Sequence, residues 1–277
     1  MSQLARISEH DLKARQLLVA HREFLDAAIE VVRLWPVDGP AALVLSALSM
    51  RLLQRGAAAH TLCVSGYAAE AGPLLRVMLS ALASITYIAA SDSDSRALAF
   101  LAEETRVARN RLPRLGDQGL LTTNEATRLL HESESFNTER IAHYAKLGIQ
   151  LDKPDRPGRS WHGYPNDEQF FTGTGLKAWY DSFYASFSED SHASAWSLLT
   201  EIQALARGDL AFGPHYGNNR DLRFAIASSL AFVTRCLFEF DAAQNLGRHD
   251  HIVAFSEVMR RALAQAFPPR DSSGSLF

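Results

Sequence analysis

Leu74–Ile88, LLRVMLSALASITYI, is the stretch on which the fold turns. One charge, Arg76, stands in a run that is otherwise apolar, small or hydroxylated. A helix that is hydrophobic nearly all round belongs inside a protein, packed on several sides. The reading places it in a third helix of about Ala57–Ala90, kinked at Gly72-Pro73 because proline removes a helical N–H. Within this buried central helix Arg76, Ser80, Ser84 and Tyr87 recur at spacings of four, four and three, which sets them in one polar stripe.

Outward from that segment the apolar period stays at 3.6 and no stretch alternates with period two. A first helix starts after Ser8, buries Leu17, Leu18, Phe24, Leu25, Ile29 and Val32, and ends at Pro36 and Gly39. A second runs over about Ala41–Gln54, stopped by Gly56. Ser91-Asp92-Ser93-Asp94 opens a helix of about Ser95–Leu112, and Thr122-Thr123-Asn124-Glu125 opens another lasting to about Leu147. Residues 148–175 are rich in Gly, Pro and Asp, carry no period and read as one long irregular loop. Helices follow at about Leu176–Leu205, Asp221–Asn245 and Arg248–Phe267, before a frayed tail, 268–277. The expected architecture is all-α: a single domain, 1–277, of eight or nine helices bundled around the buried central one.

Composition removes several classes. The chain has 277 residues, 47% hydrophobic and 21% charged, with a net charge of -3. That excludes a disordered chain, a collagen-like fibre and a disulfide scaffold, and it offers no bulk basic field for nucleic acid. Arginine outnumbers lysine 24 to 4, which reads as codon bias before anion binding. Cys63 and Cys236 are expected to be reduced thiols of a cytosolic protein. Met1–Arg15 has no apolar signal region, and Val77–Ser91, the longest uncharged apolar stretch, falls short of the roughly 18 to 20 residues of a membrane span. A cytoplasmic location without membrane contact is the expectation. No Gly-x-Ser-x-Gly, Cys-x2-Cys or His-Glu-x2-His occurs, and no strand precedes Gly173-Thr174-Gly175. His249-Asp250-His251 lacks a third ligand, so neither a metal nor a cofactor is expected.

Past the long loop, Tyr180, Tyr184, Ser188 and His192 are spaced by four and Trp196 continues the row. Trp179, Phe183 and Phe187 make a parallel, purely aromatic row that suits the core, so the polar row reads as the wall of a crevice. Two bland readings stand beside this one. Arg76 can be half of a structural ion pair with Glu239, and His192 can be a satisfied structural histidine.

Leu75-Arg76 leading into Ile85-x-Tyr87-Ile88, then Ser160-Trp161-His162-Gly163, then Tyr180-x3-Tyr184-x3-Ser188-x3-His192-Ala193-Ser194 resemble a bacterial helical family, domain-of-unknown-function family 5677. The resemblance covers a core of about 41–196. Where that family often carries Glu four residues after the helix-three Arg, Ser80 stands here. The resemblance implies a helical fold and a buried anchor at Trp161, and brings no established reaction.

The leading expectation is a non-catalytic cytosolic protein whose polar crevice binds a small anionic ligand or a partner segment. Arg76 supplies charge, Trp161 lines the site, Tyr180, Tyr184 and Ser188 supply hydrogen bonds, and His192 is a pH-sensitive donor or acceptor. The alternative is a metal-independent nuclease or toxin-like enzyme acting on RNA, with Arg76 and His192 as its catalytic candidates. HEPN-type nucleases use Arg-x4–6-His on a helix. Three pairs match that spacing, Arg15/His21, Arg55/His60 and Arg156/His162, where chance alone gives about 2.6, so the motif adds nothing.

Overall fold

A computed structural model describes residues 9–35, 37–103, 161–184 and 219–266, with single positions between 119 and 146. The protein is an all-α helical bundle, with no strand among the described residues. The helices bounded within the described residues are α1 (Glu9–Arg33), α2 (Gly39–Val64), α3 (Gly72–Ala90), α4 (93–103), α5 (Asp167–Gly173), α6 (Lys177–Trp179), α7 (Asn219–Gln244) and α8 (His249–Ala266). A short 3-10 turn, Ala69–Ala71, precedes α3, and a π-helical turn, Tyr180–Tyr184, continues α6. The described residues group into two compact units. One draws on Met1–Trp35, Ser49–Leu82 and Asp181–Phe277, the other on Pro36–Leu48 and Ala83–Tyr180.

In the first unit α1 packs on α7 and α8, which also pack on each other. The face of α1 follows its sequence period, with Leu17, Phe24, Leu25, Ala28 and Val32 buried and His21 in the same stripe. Leu18 and Ile29, at its edges, are only half-buried. Phe24 stacks on Phe255 of α8, with ring centroids 4.9 Å apart, and Trp35 stacks on Phe240 of α7 at 3.4 Å. Both cysteines are free and buried. The Cys236 thiol donates to Ser49 Oγ at 3.2 Å, and burial pushes both thiols up to about 12.

The sequence reading of Gly56 as a helix stop is overturned, because α2 runs straight through it to Val64. A Cβ at Gly56 would meet Leu25 Cδ2 at 3.2 Å, Ser229 Oγ at 3.3 Å and Met78 Cε at 3.4 Å. The glycine therefore lets α1, α3 and α7 approach α2 closely, a packing role that looks like a breaker in sequence. The real end lies ten residues on. Tyr67 N–H donates to Leu62 O and Gly66 N–H to Cys63 O, with Gly66 at φ +84°, which is a Schellman closure. The expected long helix of Ala57–Ala90 is accordingly two helices, α2 and α3, separated at Ser65–Ala68.

The buried central segment is real. Every residue of α3 from 81 to 88 is buried. Ala69–Ala90, 22 residues with a mean hydropathy of 1.5 in its best window, is also long and apolar enough to cross a membrane by length and composition alone. The sequence count stopped at Arg76, whereas the helix continues past it. Of that window 56% is buried inside the protein, and a core helix passes the same test.

In the second unit Asp94 Oδ1 accepts from Ala41 N–H at 2.9 Å and so satisfies an orphan donor at the start of α2. The expected irregular loop of 148–175 is corrected in its second half, where α5 is a capped helix. Asn166 Oδ1 accepts from Gln169 N–H at 2.9 Å, Asp167 and Glu168 fill the acidic first turn, and Phe170 and Phe171 are buried. Gly175, at φ +72°, closes it, with Leu176 N–H bonded to Phe171 O. Residues 148–160 lie outside the described residues.

Candidate functional site

Arg76 projects from the second turn of α3 and is half-buried. Its Nη2 donates to Tyr184 Oη at 3.0 Å, and its guanidinium carbon lies 4.7 Å from the centroid of the Tyr184 ring. The phenol therefore both accepts a hydrogen bond and offers its π face to the cation. Tyr184 is positioned by its neighbour: Phe183 meets Phe224 and Phe232 of α7, with centroids 5.4 and 5.9 Å away. Phe183 thus contacts α7 while Tyr184 meets Arg76, although both residues are half-buried.

The structural ion pair considered for Arg76 does not form with Glu239. Glu239 bonds Arg235, one turn before it on α7. Among the described residues no carboxylate reaches Arg76, so the phenol is its recorded partner there. That phenol carries no carboxylate charge and occupies one of the guanidinium's several N–H donors. What the arrangement can do is hold an oxyanion.

The polar stripe expected along α3 splits by environment. Ser80 is exposed, while Ser84 and Tyr87 are buried. Tyr87 belongs to the second unit, where its hydroxyl donates to His162 O at 3.2 Å and Arg96 lies 4.1 Å over its ring while bonding its backbone carbonyl. Burial pushes the Tyr87 hydroxyl above its ordinary range.

Trp161 is 7% exposed, which meets the expectation of a buried anchor. Its indole stands edge-on to Tyr87 at 5.3 Å, to Phe100 at 5.0 Å and to Phe170 at 6.0 Å. His162 stacks on Phe170, 3.9 Å between centroids and 7° between planes, and its Nδ1 accepts from Tyr164 N–H at 3.1 Å. Burial pulls His162 down to about 4, so its ring is neutral at pH 7. Tyr164 lies across Gly173, where a Cβ would come within 2.2 Å of its hydroxyl. Tyr180 packs on Phe171 at 5.1 Å, with Lys177 Nζ 6.0 Å from its ring. The structure thus joins Arg76 to Tyr184 in one unit and places Trp161 and Tyr180 in the other. Ser188 and His192 lie outside the described residues, and so does the Arg76–His192 pairing of the nuclease alternative.

One cluster was missed by sequence reasoning. His21 of α1 and His60 of α2 place their Nδ1 atoms 3.2 Å apart, and His21 Nε2 lies 3.1 Å from Ser229 Oγ of α7. His21 and Ser229 are fully buried and His60 is nearly so. Burial, with His60 second, pulls His21 down to about 3; burial also lowers His60, with Arg22 adding to and Asp26 opposing the effect. Both histidines appeared in sequence only in chance Arg–His spacings. The available signal was His21 falling four after Leu17 and three before Phe24, inside an apolar stripe. Among the described residues no three His, Cys, Asp or Glu side chains gather to hold a metal.

These features define an all-α protein with a half-buried cation on a phenol and two separately buried histidine clusters. The chain belongs to the Family of unknown function (DUF5677), which matches residues 42–207. The matched stretch takes in Arg76, Trp161, Tyr180, Tyr184, Ser188 and His192, together with His60, and leaves His21 and Ser229 on either side of it. No curated protein and no solved structure matches the chain.

Proposed function

We propose that the protein binds a small anionic ligand at Arg76, with Tyr184 setting the orientation of the guanidinium. The supporting observation is the half-buried Arg76, whose recorded partner is a phenol and not a carboxylate. A planar guanidinium matches carboxylate or phosphate with two parallel N–H bonds, and partial burial strengthens such a pair over one in bulk water. Ser188 and His192, four and eight residues past Tyr184, are the sequence-derived candidates to complete the site. The same proposal keeps the protein in the cytoplasm, a reading supported by two free thiols.

Titration with inorganic phosphate, pyrophosphate and acetate, followed by thermal melting and calorimetry at fixed ionic strength, tests it. The wild type should be stabilised in proportion to ligand occupancy, with at least one anion binding more tightly than chloride. Arg76→Ala should abolish that response and Arg76→Lys should weaken it about tenfold or more, since lysine keeps charge but loses the fork. Equal responses to every anion, or an unchanged response in Arg76→Ala, overturn the proposal.

A further inference from the structure

The His21–His60–Ser229 cluster has the order of a nucleophile, a base and an orienting group. It does not suit catalysis. Ser229 and His21 are 0% exposed, so no substrate reaches them, and an imidazole held near 3 is a feeble base. Its geometry suits a different task. Two Nδ1 atoms 3.2 Å apart make a hydrogen bond only when one carries a proton and the other does not. With His60 donating, His21 Nδ1 accepts, and the Nε2 contact to Ser229 is satisfied in the same tautomer. One added proton leaves a charged N–H facing a lone pair, and a second sets two N–H groups face to face, beside a His21 that has no water-exposed surface.

We propose that His21, His60 and Ser229 form an acid-sensitive latch, which holds α1 against α2 and α7 while both imidazoles are neutral and releases α1 when the pair takes up protons. The surroundings offer little to offset that charge. On α1, Arg22 and Asp26 are exposed and bonded to each other at 2.9 Å. On α2 the nearest titratable group along the helix is Cys63, three residues past His60 and held as a neutral thiol. From α7 comes the Ser229 hydroxyl, from α3 the Met78 thioether beside Gly56, and α8 meets α1 through Phe255 on Phe24. Among these described neighbours no buried carboxylate stands by to neutralise a charged pair. The latch also ties His60, inside the family match, to helices on both sides of it.

Amide hydrogen exchange on the full chain at pH 7.5 and pH 5.0, corrected for intrinsic exchange, reads the latch. Protection of α1 amides should fall by about 30-fold or more at pH 5.0, the linkage factor for one released histidine of ordinary pKa. In the double variant His21→Gln, His60→Gln that fall should disappear. Unchanged α1 protection at pH 5.0, or the wild-type fall persisting in the double variant, overturns the proposal. Should the double variant fail to fold, NMR titration of the wild-type imidazoles decides. His21 should stay neutral until α1 protection is lost, and an ordinary titration of His21 near 6.5 with α1 protection intact overturns the latch.

Discussion

His21 and His162 are both buried and both held neutral, yet they are satisfied in opposite ways. His21 relies on two side chains from helices 39 and 208 residues away in sequence. His162 takes its hydrogen bond from a backbone N–H two residues on and its packing from Phe170, eight residues on. The first environment exists only once the helices have assembled, and the second combines one short segment with Tyr87 of α3, whose hydroxyl donates to His162 O. A histidine can therefore report global assembly or local order, and the identity of its partners decides which.

The largest expected effect tests whether both environments resist protonation. Each histidine has a folded pKa below its unfolded value near 6.5, so each contributes stability that is present above that value and is lost as the pH falls. For His21 the loss runs from about 6.5 towards 3, and for His162 from about 6.5 towards 4. Around pH 5 the two together should steepen the decline by roughly 2.7 kcal/mol per pH unit, measured by urea unfolding at a series of pH values. His162→Phe, which keeps a ring against Phe170, should remove about half of that slope. A flat profile between pH 7 and 5 breaks the comparison outright.

Trp161→Ala should rank next, at about 3 to 5 kcal/mol, because it empties a site surrounded by three aromatic rings. Its own signature sharpens the contrast: Tyr164 and His162 proton shifts should move while His21 and His60 shifts hold still. If Trp161→Ala disturbs His21 as strongly as His162, the local character assigned to the second environment is wrong.

Gly56→Val probes the assembled environment at about 1 to 3 kcal/mol of destabilisation. The added side chain presses on Leu25, Ser229 and Met78, and it should raise the urea sensitivity and perturb the His21–Ser229 contact. A variant as stable as the wild type would show that α1 and α7 do not need the close approach at this point.

These cases also separate what was legible in sequence from what was not. The α1 face at Leu17, Phe24, Leu25 and Val32 followed directly from a 3.6 period, as did the ends of α7 and α8 to within a few residues. Gly56 was misread because a glycine's local meaning, a stop, and its tertiary meaning, a near approach, look alike in one dimension. Gly66, the true terminator, revealed itself only through its positive φ and the bonds around it. Helix α5 hid inside a Gly- and Pro-rich stretch, although Asn166-Asp167-Glu168 carried its start signal. At the candidate site, the spacing of four between Arg235 and Glu239 carried their pairing, but no pattern could show that Arg76 turns to a phenol. Pairings between distant helices are set by packing, and a single chain records only their separate faces.

The smallest stability effect belongs to Arg76→Lys, within about 1 kcal/mol by thermal melting, since a half-exposed cation on a phenol contributes little to folding. A loss well above that value would make Arg76 a structural residue and bring it into line with the buried histidines.

The two buried cysteines give the molecule a built-in clock. A thiol held near 12 has almost no thiolate at neutral pH, so Cys63 and Cys236 should ignore alkylating reagents and mild oxidants while the helices are closed. Cys63 sits three residues from His60 on α2, whereas Cys236 faces Ser49 from α7. The order in which the two become labelled therefore timestamps which part of the first unit opens first, with no introduced probe.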